Sequence, residues 1–343
     1  MDRLWLAVGL LLAAGQPIII DTDMNVDDMA AIAFLLERKA NIQAITVSTT
    51  GFSAQWAGVE NALRLLHRYN RSDIPVAFQE GFVGQTQLNL KYPVGIPPPH
   101  WTDGSNKYFT DWISLKKSPK QAAWQSAAQL IVEVLSNSAE KVHFLELGPF
   151  TNLAAALHRD ADAVRQIHTI YMEGGRLSPG SGSLRRLRGP GFPWTTATKP
   201  KNASWNVFVD AISASQVFAF GIPTMVVADN ACDALVVDPG DSHEYGNANC
   251  TSFLTEIVLK WAPAHHEQWS NLKYWDPAVS VMMLQTLNQE SLACQEWLES
   301  NLTVSLQNDD TYATFVQGQV GAPTNACLAS NRASLLQTFY AGC

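Results

Sequence analysis

Four aspartates fall within eight positions directly after an apolar run. Residues 18–28 read IIIDTDMNVDD, so Asp21, Asp23, Asp27 and Asp28 would crowd together in a compact fold. Asp21 and Asp23 are two apart at the end of an apolar strand, where side chains two apart point the same way. Asp27 and Asp28 begin the helix that follows a tight turn. A helix N-terminus offers free N–H groups and about half a unit of positive charge. That cannot offset four acids. Protonation, exposure to water or a bound divalent cation remain as the ways to hold them together. Purely oxygen donors select Ca²⁺ or Mg²⁺ rather than zinc. A solvated acidic helix start accounts for Asp27 and Asp28. It does not account for Asp21 and Asp23 directly behind three isoleucines.

The elements that must position these acids alternate along the chain. The segments III, IQAITVST, DIPVAF, KVHFLEL, IHTIYM and IPTMVVA read as strands. Between them, DDMAAIAFLLERKA, AGVENALRLLHRY, QAAWQSAAQLIVEVLSNS, TNLAAALHRD and DAISASQVFAFG have helical spacing. SFLTEIVLKWA and DPAVSVMMLQTL read as further helices, LTVSLQ and TYATFVQGQV as a hairpin, and RASLLQTFYA as a final helix. Such alternation predicts an α/β fold, with a mainly parallel, Rossmann-like central sheet flanked by helices. Ligands in such folds bind beyond the carboxyl ends of the strands. The Asp cluster, LELGPFTN and IYMEGG are three strand exits that suggest one crevice. Residues 81–110 are expected to be irregular. Residues 176–203, which carry Arg176, Arg185, Arg186 and Arg188, form a long insertion without periodicity.

The chain has 343 residues, 47% hydrophobic and 16% charged, enough for a large core. A net charge of −8 argues against nucleic acid or an anionic membrane as the main partner. Arg3 precedes an apolar run over residues 4–14, too short to span a bilayer, and residues 1–15 are expected to be a signal peptide. A secreted protein, with no membrane association after cleavage, is the expected consequence. Sequons at Asn70, Asn249 and Asn301 are expected glycosylation sites, and a fourth at Asn202 is expected to stay unmodified. Five cysteines lie in the C-terminal third, enough for one or two disulfides with one thiol left over. No CxxC pair occurs.

Two families share parts of this pattern. The DxD after an apolar strand resembles haloacid-dehalogenase-like phosphatases, but Asn25 stands where they carry Thr or Val. DTDMNVDD more closely resembles the DxDxxxDD signature of the nucleoside hydrolase family (inosine-uridine preferring and related), with Met24-Asn25 in place of the frequent Pro-Gly. LELGPFTNLAAAL, IYMEGG, ASWNVFVDAISA, YWDPAVSV and PTNACLASNRASLLQTFYA are similar to further segments of that family, in its order. The resemblance implies that residues 16–343 form one domain that hydrolyses the N-glycosidic bond of nucleosides. It implies Asp23 as general base and calcium ligand. Asp28, Asp276 and the backbone carbonyl of Thr151 would be the other ligands of Ca²⁺. Asp27, Asn206 and Asp276 would hold the ribose hydroxyls, Met172 would face the substrate, and Asp21 would brace the site. Homo-oligomers are common in the family.

The chain departs from the family at several positions. Ser204 stands where the family carries a Glu that contacts the 5′ end of the ribose, and the Asn expected near Gly51 has no counterpart. Trp275 stands where pyrimidine-handling members often carry His. With Trp101 it would form walls that stack on a flat base and favour purine nucleosides. His265 and His266 are alternative sources of an acid for the leaving base. Singly, each residue has a structural role as its alternative: Asp276 and Thr151 as helix caps, Met172 as core, Asn206 as a backbone partner. A non-catalytic binding protein of the same fold is the second reading, and a metal-dependent phosphatase the third.

Overall fold

The structure is a computed structural model. It describes residues 15–48, 50–53, 55–78, 126–177, 202–246, 255–257, 272–307, 309 and 311–341. The first strand, β1 (Ile18–Thr22), is wholly buried. Its side chains alternate between two cores. Ile18 and Ile20 join one cluster and Ile19 the other, so both faces of the sheet are covered. That is why β1 reads as a continuous apolar run.

Around β1 the chain builds a sheet of nine described strands: β2 (Ile42–Val47), β3 (Val76–Phe78), β4 (Val142–Glu146), β5 (Ile167–Glu173), β6 (Thr224–Val227), β7 (Cys294–Val304), β8 (Phe315–Gly318) and β9 (Ala322–Ser330) complete it. The order is β3-β2-β1-β4-β5-β6-β9-β7-β8. Every pairing from β3 to β9 is parallel, and β7 runs antiparallel to both β9 and β8. The expected hairpin is present, but its first strand begins at Cys294. A disulfide joins Cys294 of β7 to Cys327 of β9, and Cys232 is a buried free thiol. Cys250 and Cys343 lie outside the described residues.

Helices α1 (Val26–Glu37), α2 (Gln55–Arg68), α3 (Ala127–Asn137), α4 (Thr151–Arg159), α5 (Ala161–Val164), α6 (Trp205–Val209), α7 (Ala211–Phe220), α8 (Asp241–Tyr245), α9 (Trp275–Leu287) and α10 (Arg332–Tyr340) surround the sheet. The helix expected from Asp210 is α7. Asp210 caps it by accepting from the Ser213 N–H, which separates it from α6. Helix α1 is apolar nearly all round and lies against α9, inside the Ile18–Ile20 core. Helices α3, α4 and α7 cover the Ile19 face.

The chain leaves β1 toward β2 on one side, and returns to β4 on the other. This reversal opens a crevice at the carboxyl ends of β1 and β4. Asp23 therefore stands in this crevice, with Asp21 buried beneath it, because of where β1 sits in the order. No helix among the described residues is long and apolar enough to cross a membrane. The expected signal peptide and residues 81–110 fall outside the described residues, as does most of the 176–203 insertion.

The α1 packing that fixes the Asp cluster has a direct test. Phe34 is fully buried and stacks on Phe339 with ring centroids 5.3 Å apart. Phe34→Ala should lower the unfolding free energy by about 3–5 kcal/mol in a urea titration. A loss below about 1 kcal/mol would mean that α1 does not depend on this contact.

Candidate active site

Strand β1 ends in a turn built to aim carboxyls. Met24 takes a left-handed φ of 56°, and Asn25 caps α1, its Oδ1 accepting from the Val26 N–H at 2.8 Å. The turn folds Asp28 back over the end of β1. The Oδ1 of Asp28 accepts from the Thr22 hydroxyl, the Asp23 N–H at 3.1 Å and the Met24 N–H at 3.2 Å. Its Oδ2 accepts from the Asn25 N–H at 3.2 Å. A carboxylate held by this many donors is fixed in place before any ligand arrives.

The fourth wall of the acid group comes from 248 residues further on, at the start of α9 (276 less 28). Asp276 sits in the first turn of α9, whose N-cap is Tyr274, so it is not the cap that its place before Pro277 suggested. Tyr274 is buried and anchored through its hydroxyl to Asp241 and Tyr340, both at 2.9 Å. Carboxylate oxygens of Asp27, Asp28 and Asp276 lie within 4.8 Å of one another, and all three residues are buried. The Oδ1 of Asp27 has no hydrogen-bond partner among the described residues. Burial pushes the carboxyls of Asp23, Asp28 and Asp276 upward. For Asp27, burial and then the charge of Asp28 raise the pKa to about 8. An all-oxygen set with an orphaned buried oxygen suits a hard divalent cation, and the residues therefore fit a metal ion.

Asp23 lines the same pocket as this triad but is not one of the three. It is enclosed by backbone: a Cβ on Gly51 would sit 2.1 Å from Asp23 Oδ2, and one on Gly148 would sit 2.9 Å from the Asp23 N atom. Glycine at both positions lets the chain approach the acid this closely. Asp21 lies below the pocket rather than in its lining. Its Oδ1 accepts from Thr46 at 2.6 Å and Asn152 at 2.7 Å, and it is registered opposite Glu146 across β1 and β4. Burial raises Asp21 to about 7, and burial followed by the charge of Asp21 raises Glu146 well above its ordinary value.

The pocket encloses about 750 Å³ including its open mouth. Asn25, Phe52, Leu147, Ser204, Trp205, Asn206 and Trp275 line it with the acids, together with Glu173 and Asp229. Asn206 donates to the Leu147 carbonyl at 3.1 Å, which ties α6 to the end of β4. Ser204 is buried and starts α6 without a side-chain capping bond. Thr151 is not among the pocket-lining residues. Its hydroxyl donates to Asp210 at 2.6 Å and meets Thr50 at 2.8 Å, so it sits in a buried hydroxyl chain at the first turn of α4.

Met172 joins Ile170 in the core on the Ile19 face and is not among the pocket-lining residues. Strand alternation turns Met172 to the face opposite that of Tyr171 and Glu173. Glu173 instead shares the face of Tyr171, toward α9. It is 7% exposed, its Oε1 has no hydrogen-bond partner among the described residues, and burial and then Asp229 push its carboxyl well up. Glu173, Asp229, Phe52 and Trp205 were not read from the sequence as site residues. For Glu173 a signal existed, because it ends a buried strand.

Trp101, His265 and His266 lie outside the described residues, as does Asn249. Asn70 is exposed, whereas Asn202 is 8% exposed, with its Oδ1 buried. The Nδ2 of Asn301 donates to the Gln319 carbonyl at 2.9 Å.

The raised acids fix a sign for the pH dependence of the metal-free protein. Their folded pKa values, about 7 for Asp21 and about 8 for Asp27, lie above the ordinary 3.8, so the folded state holds protons that the unfolded state has released. Their contribution is full below pH 3.8 and is lost as pH rises through 8. With chelator present, the melting temperature should fall between pH 5.5 and pH 8.5. Asp27→Asn should flatten that fall, and millimolar Ca²⁺ should abolish it. A melting temperature that rises with pH in chelator would contradict the protonated cluster.

Comparison with known proteins agrees with this geometry. The family model described as inosine-uridine preferring nucleoside hydrolase matches residues 18–334. The chain is 27% identical over 318 residues to the pyrimidine-specific ribonucleoside hydrolase RihA of Shewanella sp. (strain ANA-3), covering 91% of this chain and 90% of that one. It is 28% identical over 322 residues to the non-specific ribonucleoside hydrolase RihC of Salmonella paratyphi B, covering 93% and 94%. Among solved structures, an inosine-guanosine nucleoside hydrolase shares the fold with a TM-score of 0.72 at 18% identity, over 95% of this chain and 98% of that one. A match over nearly the whole chain, on a sheet that gathers four aspartates at one crevice, shows that the chain belongs to the inosine-uridine preferring nucleoside hydrolase family and is an N-glycosyl hydrolase.

Proposed function

We propose that this enzyme is a calcium-dependent nucleosidase that prefers purine nucleosides, such as inosine and adenosine, and releases ribose and the free base. One observation carries the reading. A buried, oxygen-only acid cluster shares a pocket with the aromatic side chains Trp275, Trp205 and Phe52. The cluster suits a hard cation and a polyhydroxylated sugar, and the aromatic side chains suit a flat base. Relatives range from pyrimidine-specific to non-specific, so the preference for purines rests on Trp275.

In this reading Asp23, Asp28, Asp276 and the Thr151 carbonyl hold Ca²⁺. Asp27, Asn206 and Asp276 orient the vicinal hydroxyls of the ribose, and Asp21 braces Asp23 from below. When bound, the ion offsets the charge of the acids and lowers the pKa of water. Asp23 takes a proton from the attacking water as its oxygen bonds to C1′ of the sugar. The N-glycosidic bond breaks, and its electron pair leaves with the base. Positive charge developing on the ribose is stabilised by the surrounding carboxylates. Orienting the sugar through two hydroxyls makes the attack effectively intramolecular. The Cys294–Cys327 disulfide supports an oxidising, secretory location for the enzyme.

Incubation with inosine, adenosine and uridine tests the proposal. Reducing sugar should appear fastest from the purine nucleosides, stop on chelation and return with Ca²⁺. Asp23→Ala should lower kcat by about a thousandfold. No sugar released from any nucleoside would overturn the nucleosidase reading, and faster turnover of uridine would overturn the purine preference.

A further inference from the structure

The acids of the pocket fall into two groups. Asp23, Asp27, Asp28 and Asp276 come from the end of β1 and the first turns of α1 and α9. Glu173 and Asp229 come from the ends of β5 and β6. Register explains their pairing: Glu173 lies opposite Val227 in the β5–β6 ladder, and Asp229 is two residues further along, on the same face. Both therefore face α9 rather than α4. Glu173 lines the same pocket as Asp27 and Asp276, the acids assigned to the vicinal hydroxyls.

A second feature shapes this end of the pocket. Gly174 has a φ of 141°, and a Cβ there would sit 2.3 Å from Ser204 Oγ. The start of α6 is thus closed down onto the end of β5, with the Ser204 side chain against Gly174. The carboxyl of Glu173 lines the pocket, is more than nine-tenths buried and keeps Oε1 without a partner. An unpaired buried carboxyl oxygen is costly unless a ligand satisfies it.

We propose that Glu173 is a specificity-determining residue whose Oε1 accepts a hydrogen bond from the primary 5′-hydroxyl of the nucleoside. The inference rests on the nucleosidase reading. A ribonucleoside has three sugar hydroxyls. The vicinal pair goes to Asp27, Asn206 and Asp276. The primary hydroxyl is separated from that pair only by C4′ and C5′, so its acceptor must neighbour the same acids. Glu173 does so, and of Glu173 and Asp229 it is the one that keeps a buried carboxyl oxygen without a partner among the described residues, whereas the aromatic side chains offer no acceptor.

The test compares kcat/KM for inosine and uridine with kcat/KM for their 5′-deoxy counterparts. The ratio within one preparation does not depend on the fraction of enzyme correctly folded. Wild type should favour the hydroxylated nucleoside by about a hundredfold or more, because a site built to bond a hydroxyl rejects the analogue lacking it. Glu173→Leu should bring the ratio to within about fivefold of unity, and Glu173→Gln should give an intermediate ratio. A wild-type ratio near one overturns the proposal. So does an unchanged ratio in Glu173→Leu with both substrates slowed alike, since the residue would then act on the base or on folding. Should wild type release no sugar from inosine or uridine, the nucleosidase reading fails first and this assignment falls with it.

Discussion

Mutual repulsion among buried carboxyls is the constraint around which this molecule is arranged. Asp23, Asp27, Asp28 and Asp276 are all buried in the wall of one pocket, and Asp28 is held by backbone N–H groups and the Thr22 hydroxyl. Such donors fix the direction of a carboxylate without cancelling its charge. The consequence is a site that must either hold protons or take up a cation. Both alternatives keep the acids aimed at a common point, which suits a reaction that builds positive charge on a sugar.

The rest of the fold serves that arrangement at successive distances. The order of the sheet opens the crevice beside β1. The apolar helix α1 is locked between the sheet and α9, so the turn that carries Asp28 has a rigid base. Tyr274, held by Asp241 and Tyr340, places the first turn of α9 and therefore Asp276. A buried chain from Ser48 through Thr50 and Thr151 to Asp210 links the loop after β2 to the start of α7. Outside the pocket, Asp233 joins Arg176 at 2.9 Å to Lys273 at 2.5 Å, two residues before Trp275. Exposed pairs of this kind contribute little to stability, but they fix the entry to α9.

Much of this was legible in the chain because local pattern and tertiary role coincide. Three isoleucines followed by acids read as a buried strand ending at a polar crevice, and the alternation of strands and helices leads to a parallel sheet. The triad was half visible: Asp27 and Asp28 are neighbours, whereas Asp276 is brought to them only by the path of the chain around the sheet. Met172 shows the limit most clearly. Its assignment followed a motif, but the pleat decides which of two adjacent residues enters the pocket, and Glu173 is the one that lines it. Asp229 and Phe52 belong to the site through register and loop path, which no short segment encodes. The pairing of Cys294 with Cys327 likewise depends on β7 lying beside β9.

The central claim is that the acid cluster is a divalent-cation site that exchanges protons for the ion. Calorimetric titration of chelator-treated protein with Ca²⁺ at pH 7, repeated in buffers of different ionisation enthalpy, tests it most directly. One ion per chain should bind, with a buffer-dependent heat that reports proton release, and Asp276→Ala should lose the binding. Absence of saturable binding, or binding that survives intact in Asp276→Ala, would contradict it.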